Sequence, residues 1–311
     1  MNLLVTIIAI IFVPTAYSEP AWCYHDSNCD DTTWPSKFSK ICNGSRQSPI
    51  EINSSLAVGN ASLTVFNFTN YGDTSTIENI TNTGRTVEVD LKKGVQISAG
   101  ALSDVYDSLQ FHLHWGNGTS VHGSEHTVDG MRYPMEMHIV NTKTVYNRSL
   151  TAASTDSTGI AALGFFIEAM PGNSTGSPAA WNTLASYLAN ITLSDEKVSI
   201  SPAISLDDLL KGVNRSKYYR YLGSLTTPNC SEAVVWTVFK ETIKVSQDLI
   251  NLFSTTVHIG NQSTSALMTN VFRKSQLSNG RVVTTQPTAS RASKIGFSLG
   301  PMALAWMLLR V

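Results

Sequence analysis

Two short segments concentrate residues able to hold a metal ion. Gln110-Phe111-His112-Leu113-His114-Trp115 alternates polar and apolar side chains, which is the period of an extended strand. In a strand, Gln110, His112 and His114 share one face, and Phe111, Leu113 and Trp115 share the other. Met135-Glu136-Met137-His138-Ile139-Val140 repeats the pattern, with Glu136, His138 and Val140 on one side. Two such strands as neighbours bring three imidazoles together on one surface of a sheet.

Three histidines are the ligand set of an open catalytic zinc site, in which water takes the fourth position. Zinc brings the pKa of that water to about 7 and supplies hydroxide at neutral pH. Ligating histidines need their second ring nitrogen oriented by an outer partner. Gln110 and Glu136 each precede a histidine by two residues and lie on the right face for that. A lone His-x-His pair is a weak signal; His138 with Glu136 on a second strand strengthens it. Copper and nickel also accept imidazole, so spacing alone does not select the metal.

These side chains need a scaffold. Strand-like alternation recurs at residues 62–68, 85–91, 110–115, 136–141, 161–168 and 234–239. Helical pattern is sparse: residues 179–190, introduced by Pro178, then 205–211 and 246–254. No internal repeat and no linker divides the chain. The expected fold is mixed and β-dominated (α+β). It is a single domain around a large twisted, mostly antiparallel sheet, with short peripheral helices and the metal site on the sheet.

The two ends read as processing signals. Leu3 to Val13 is an apolar run too short to span a bilayer, followed by Ala16-Tyr17-Ser18. This is the pattern of a signal peptide, residues 1–18, cut after Ser18; the alternative is an N-terminal membrane anchor. Ile295 to Val311 is a terminal apolar tail behind a small-residue polar stretch, the pattern of a GPI-attachment signal. Ser290 is the expected attachment residue, with Asn279 its rival, and residues 291–311 are then removed. The alternative is a permanent helix. The domain between, residues 19–290, has 19 basic against 23 acidic residues once Arg291, Lys294 and Arg310 are gone, a net charge of −4. That excludes the basic footprint of a nucleic-acid binder. Four cysteines, Cys23, Cys29, Cys42 and Cys230, read as two disulfides with three pairings open. Twelve Asn-x-Ser/Thr sequons fit a secretory route; Asn229, beside a cysteine, is expected to be bare.

The two histidine segments, extended to Gly116, resemble the signature of the α-class carbonic anhydrases. So do Gly123-Ser124-Glu125-His126-Thr127-Val128-Asp129, Gln47-Ser48-Pro49-Ile50, the run Tyr221 to Pro228, and Val234-Val235-Trp236-Thr237-Val238. The resemblance runs from Trp22 to about Asn270. It is nearest to the membrane-anchored extracellular members, the carbonic anhydrase IV and XV type, through Trp22-Cys23-Tyr24, Cys42, Cys230 and the tail.

The resemblance implies reversible hydration of carbon dioxide to bicarbonate, with Zn2+ held by His112, His114 and His138 and oriented through Gln110 and Glu136. It implies that Thr226 accepts a hydrogen bond from the nucleophilic hydroxide and that Glu125 orients Thr226. Thr227 is implied to touch bicarbonate. Val140, Ala162, Leu225, Val234 and Trp236 are implied to wall the carbon dioxide site, with Ala162 smaller than the usual valine. Tyr24 and Thr83 fall at polar positions of the solvent channel. Cys42 is implied to pair with Cys230 and Cys23 with Cys29. Sulfonamide inhibition, a monomer and residence on the outer face of the plasma membrane belong to the same expectation.

One position departs from the pattern. The histidine that passes protons to buffer in efficient family members is replaced by Arg85, after Thr83-Gly84. A guanidinium has a pKa above about 12 and releases no proton near neutrality, so turnover is expected to depend on buffer. His25 and His122 are alternative carriers; His126 and His258 are expected to be structural or surface residues. The rival readings are a catalytically weak surface binding module of the same family, and a zinc esterase or peptidase. Retention of all three histidines, Glu125 and Thr226 argues against the first, and the lack of an H-E-x-x-H motif against the second.

Overall fold

The computed structural model describes residues 22–38 and 41–287. The signal peptide, Ser290 and the tail expected from the sequence lie outside the described residues. Among these residues the dominant feature is one thirteen-stranded sheet. Seven strands matter for function: β1 (Ile77–Asn82), β2 (Val87–Leu91), β3 (Tyr106–Trp115), β4 (Met135–Lys143), β5 (Ile160–Ala169), β6 (Tyr218–Gly223) and β7 (Val234–Phe239). They stand side by side in the order β1-β2-β3-β4-β5-β7-β6. Pairing is antiparallel except between β5 and β7, which run parallel. The mixed, mostly antiparallel architecture is the one expected.

Strict alternation divides the core in two. Phe111, Leu113 and Trp115 of β3, Met137 and Ile139 of β4, and Leu163 and Phe165 of β5 point into the larger apolar cluster. Each fully buried side chain of this kind contributes roughly 1.5–3 kcal/mol. The opposite face carries the polar residues of β3 and β4 beside a smaller cluster that includes Val140, Ile160, Ala162, Val234 and Trp236. A slip of one residue in β3 would turn its apolar set to the wrong side, so the larger cluster holds the histidines in register.

Among the short helices of the described residues, three correspond to those expected from the sequence: α1 (Ala179–Ser186), α2 (Leu206–Leu209) and α3 (Gln247–Thr256). The helix expected over residues 179–190 tightens to a 3-10 turn at Tyr187–Asn190. At the start of α2, Ser205 and Asp208 form a reciprocal capping box. No helix among the described residues is long and apolar enough to cross a membrane.

Two expected strands start late. Residues 62–65 are not strand, because the Asn60 side chain and carbonyl accept from Ser62 and Leu63 and close a turn; the strand is Phe66–Thr69. Residues 85 and 86 belong to a turn in which Gly84 has φ 73° and the Thr83 N–H donates to the Thr86 carbonyl at 3.0 Å. The second turn sets Arg85 at the end of β2 rather than within it.

Candidate metal centre

In the ladder between β3 and β4, His112 stands directly opposite His138, and His114 opposite Glu136. The ring centroids of the three histidines are 4.6–5.3 Å apart. One ring nitrogen from each lies within 4.8 Å of the other two.

The other ring nitrogens are engaged. His112 Nδ1 donates to Gln110 Oε1 at 2.9 Å, and His138 Nε2 donates to Glu136 Oε1 at 2.8 Å. His114 Nδ1 donates to the Val271 carbonyl at 2.9 Å. This fixes the tautomers and leaves Nε2 of His112, Nε2 of His114 and Nδ1 of His138 as the inward lone pairs. His114 Nε2 is buried and has no hydrogen-bond partner, which is costly unless something binds it. Three neutral imidazole nitrogens with an orphaned buried member fit a zinc ion. Burial, helped by the neighbouring histidines, lowers His112 well below its ordinary pKa and takes His114 to about 3. Both rings are therefore neutral, as a ligand must be.

The orienting groups are themselves held. Burial alone would raise Glu136, but the His126 and His138 rings outweigh it and keep the carboxyl well below the usual range. Glu136 accepts from His126 at both its backbone N–H (2.8 Å) and its Nδ1 (2.7 Å). Tyr221 Oη meets His126 Nε2 at 2.6 Å. His126 is thus fully buried structural support for a ligand's partner. It is structural, one of the two places expected for it, but its bond to Glu136 and the Val271 carbonyl were both missed by sequence reasoning. Glu136, two residues before a ligand, was the only hint of the first; a main-chain acceptor 157 residues from His114 leaves no side-chain signal.

Glu125 Oε2 lies 3.5 Å from His114 Nε2 and 3.8 Å from His138 Nδ1. Its Oε1 accepts from the Arg273 N–H at 2.7 Å. Burial pushes this carboxyl up to about 7. Thr226 approaches it closely enough to oppose that rise, without closing a hydrogen bond of standard geometry at Oε2.

Two cavities meet at the histidines. The inner one is lined by Val140, Ile160, Ala162, Leu225 and Trp236, together with His112, His138, Thr226 and Thr227. Four of the five expected wall residues are there. Val234 is not among the lining residues: it packs in the same apolar cluster behind them, and Ile160, opposite Val234 in the β5–β7 register, takes a place in the wall. The outer cavity opens past Gln110, Tyr24, Thr83, Thr86, Glu88 and Thr227 to Trp22 and Arg85. Arg85 Nε donates to the Trp22 carbonyl at 3.0 Å, and its guanidinium lies 4.4 Å over the Trp22 ring. His25 borders a neighbouring rim hollow that shares Trp22, Thr83 and Arg85, whereas His122 Nδ1 donates to the Arg132 carbonyl away from these cavities. Cys23–Cys29 and Cys42–Cys230 are bonded as the resemblance implied.

A wide sheet that carries three converging imidazoles, a buried carboxyl beside them and an apolar recess behind them defines a metalloenzyme acting on a small substrate. The sequence profile of the eukaryotic-type carbonic anhydrases matches residues 29–287, and the chain belongs to that family. It is similar to carbonic anhydrase 4 of Oryctolagus cuniculus, 36% identical over 289 residues (92% of this chain, 91% of that protein). It is also similar to carbonic anhydrase 12 of Homo sapiens, at 31% identity (95% and 82%), and carbonic anhydrase 15 of Mus musculus, at 30% identity (95% and 92%). The chain is a carbonate dehydratase of a family that hydrates carbon dioxide reversibly with zinc.

Proposed function

We propose that the protein hydrates carbon dioxide at the outer surface of the plasma membrane, with zinc held by His112, His114 and His138. The observation that carries this reading is the convergence of three inward ring nitrogens, each fixed by a different acceptor behind it. Zinc bound there supplies a hydroxide nucleophile at neutral pH.

The chain's own residues do the rest. Thr226 would turn its hydroxyl hydrogen toward Glu125, which leaves its oxygen to accept a hydrogen bond at the centre and would favour ligands that bring a proton to donate. Val140, Ile160, Ala162, Leu225 and Trp236 hold the apolar substrate without competing for the metal, and Thr227 receives the polar product. Arg85 does not release a proton, so regeneration relies on buffer entering the outer channel. Secretion after loss of residues 1–18, glycosylation, a GPI anchor at Ser290, sulfonamide inhibition and a monomeric state complete the reading.

The test is stopped-flow carbon dioxide hydration by the purified, zinc-replete protein, with and without an arylsulfonamide. Hydration abolished by a stoichiometric sulfonamide is expected. Full zinc occupancy with no hydration would instead indicate a binding module. Release from cells by a phosphatidylinositol-specific phospholipase is expected of the anchor, and retention would contradict it.

A further inference from the structure

A third cavity, of about 360 Å³, shares no lining residue with the two at the histidines, and the chemistry above does not use it. Its volume is that of a small-ligand site, for which roughly 300–1,000 Å³ is usual. Polar side chains make most of the wall: Asn43, Ser45, Gln47, Gln276 and Asn279. Leu277 is the contrast. It lines the same cavity and is 80% exposed, the highest figure of any large apolar side chain among the described residues.

Asn43-Gly44-Ser45 is a glycosylation sequon, and all three residues line this cavity. Asn43 is exposed, and the loop that carries it is pinned. Cys42 is bonded to Cys230. The Arg46 N–H and Gln47 Nε2 both donate to Glu232 Oε1, at 2.5 and 3.0 Å. Asn279 Nδ2 donates to the Ser45 carbonyl at 2.9 Å. Gly44 lies so close to Glu232 that a Cβ there would overlap its carboxylate. The sequon is therefore held in one place on the cavity wall.

We propose that Asn43 carries an N-linked glycan whose first N-acetylglucosamine is seated in this cavity. Transfer forms a bond from Asn43 Nδ2 to the anomeric carbon of a lipid-linked diphosphate oligosaccharide. That carbon's bond to the diphosphate oxygen breaks, the lipid diphosphate leaves, and Nδ2 loses one proton. Chain order leaves the sequon open to this reaction. Cys230 follows Cys42 by 188 residues, so residue 43 enters the secretory lumen while its neighbour still has no partner. Asn229 meets the opposite case, since Cys42 is already present when it emerges. Once the domain closes, the apolar face of the sugar ring lies on Leu277 and Pro35, and its acetamido and hydroxyl groups meet the amides of Gln276 and Asn279. An apolar platform with a few convergent polar groups is the usual composition of a small-ligand site. The inference rests on the secretory reading and goes beyond it by naming one sequon and the seat of its sugar.

The test uses the protein secreted by cultured animal cells. Peptide N-glycanase in heavy-oxygen water, followed by peptide mass spectrometry, should convert Asn43 to labelled aspartate. An unlabelled Asn43 overturns the proposal: labels at other sequons would then leave the secretory reading standing, and no label anywhere would count against both. Seating is read on the folded protein. Leu277→Ser should speed glycanase release of the Asn43 glycan severalfold, and an unchanged rate overturns the seat. Asn43→Gln and Ser45→Ala, which both delete the sequon, should lower the melting temperature by about 2–4 °C. Ser45→Thr, which keeps it, should not. A melting temperature indifferent to the glycan also overturns the seat.

Discussion

At the scale of single residues, the centre is defined by which nitrogen each imidazole turns inward. His112 and His114 are tethered through Nδ1, and His138 through Nε2. On the proposed reading, Arg85 is the residue whose identity should change the kinetics rather than the chemistry. Its guanidinium is fixed over the Trp22 ring. Arg85→His places an imidazole of ordinary pKa at the mouth of the same cavity. Turnover in dilute buffer is expected to rise severalfold while kcat/KM stays unchanged, measured by stopped flow across buffer concentrations. No rise would mean that another group already carries the proton. The places of Glu125 beside the histidines and of Thr226 in the inner cavity were legible through the resemblance. Ile160 was not, because it lies in the wall only through the parallel pairing of β5 with β7.

At the scale of elements, the site exists because β3 and β4 are two-faced. The alternation in Gln110–Trp115 and Met135–Val140 was enough to read three histidines onto one surface. The register that sets His112 against His138 could not be read, since it depends on a β-bulge between Ser108 and Gln110. Nor could the turn at Thr83–Thr86, whose threonine and glycine chemistry cut short an otherwise alternating segment.

One element position is tightly constrained. Gly164 of β5 faces His138, and a Cβ there would come within 3.0 Å of Glu136 Oε1. That oxygen is already bonded to His126 and His138 and has little freedom to retreat. Gly164→Ala should therefore disturb the orientation of His138 and weaken zinc binding by about ten- to a hundredfold, the usual cost of losing a ligand's partner. Competition with a chromogenic chelator measures this; wild-type affinity would show that Glu136 is not needed where it stands.

At the scale of the whole molecule, a long-range disulfide and the buried charges set stability. Cys42–Cys230 spans 188 residues, and closing a loop of that size is worth up to about 5 kcal/mol. The Cys230 N–H also donates to the Thr227 carbonyl at 2.6 Å, so the same staple supports the Thr226–Thr227 loop. The double variant Cys42→Ser, Cys230→Ser should lose stability of that order in urea unfolding and lose hydration activity with it. A loss in neither would contradict both roles.

Acid should destabilise the metal-free protein. His112 is held well below 6.5 and His114 near 3 in the fold. From about pH 6.5 downward the unfolded chain binds protons that the folded chain refuses, and stability falls. Glu125, raised from 4.5 to about 7, acts oppositely: its contribution is complete below 4.5 and is lost as pH rises through 7. Two groups outweigh one, so the melting temperature of the zinc-stripped protein should drop on acidification from 6.5 and fastest below 4.5. A flat or rising profile would contradict the buried, neutral imidazoles.

X-ray absorption at the zinc edge of the purified protein tests the central claim most directly. Three nitrogen neighbours with the multiple scattering of imidazole, at about 2.0–2.1 Å, and one oxygen completing a tetrahedron are predicted, at one zinc per chain. Substoichiometric zinc, sulfur in the shell, or a fourth protein ligand closing the open position would contradict it.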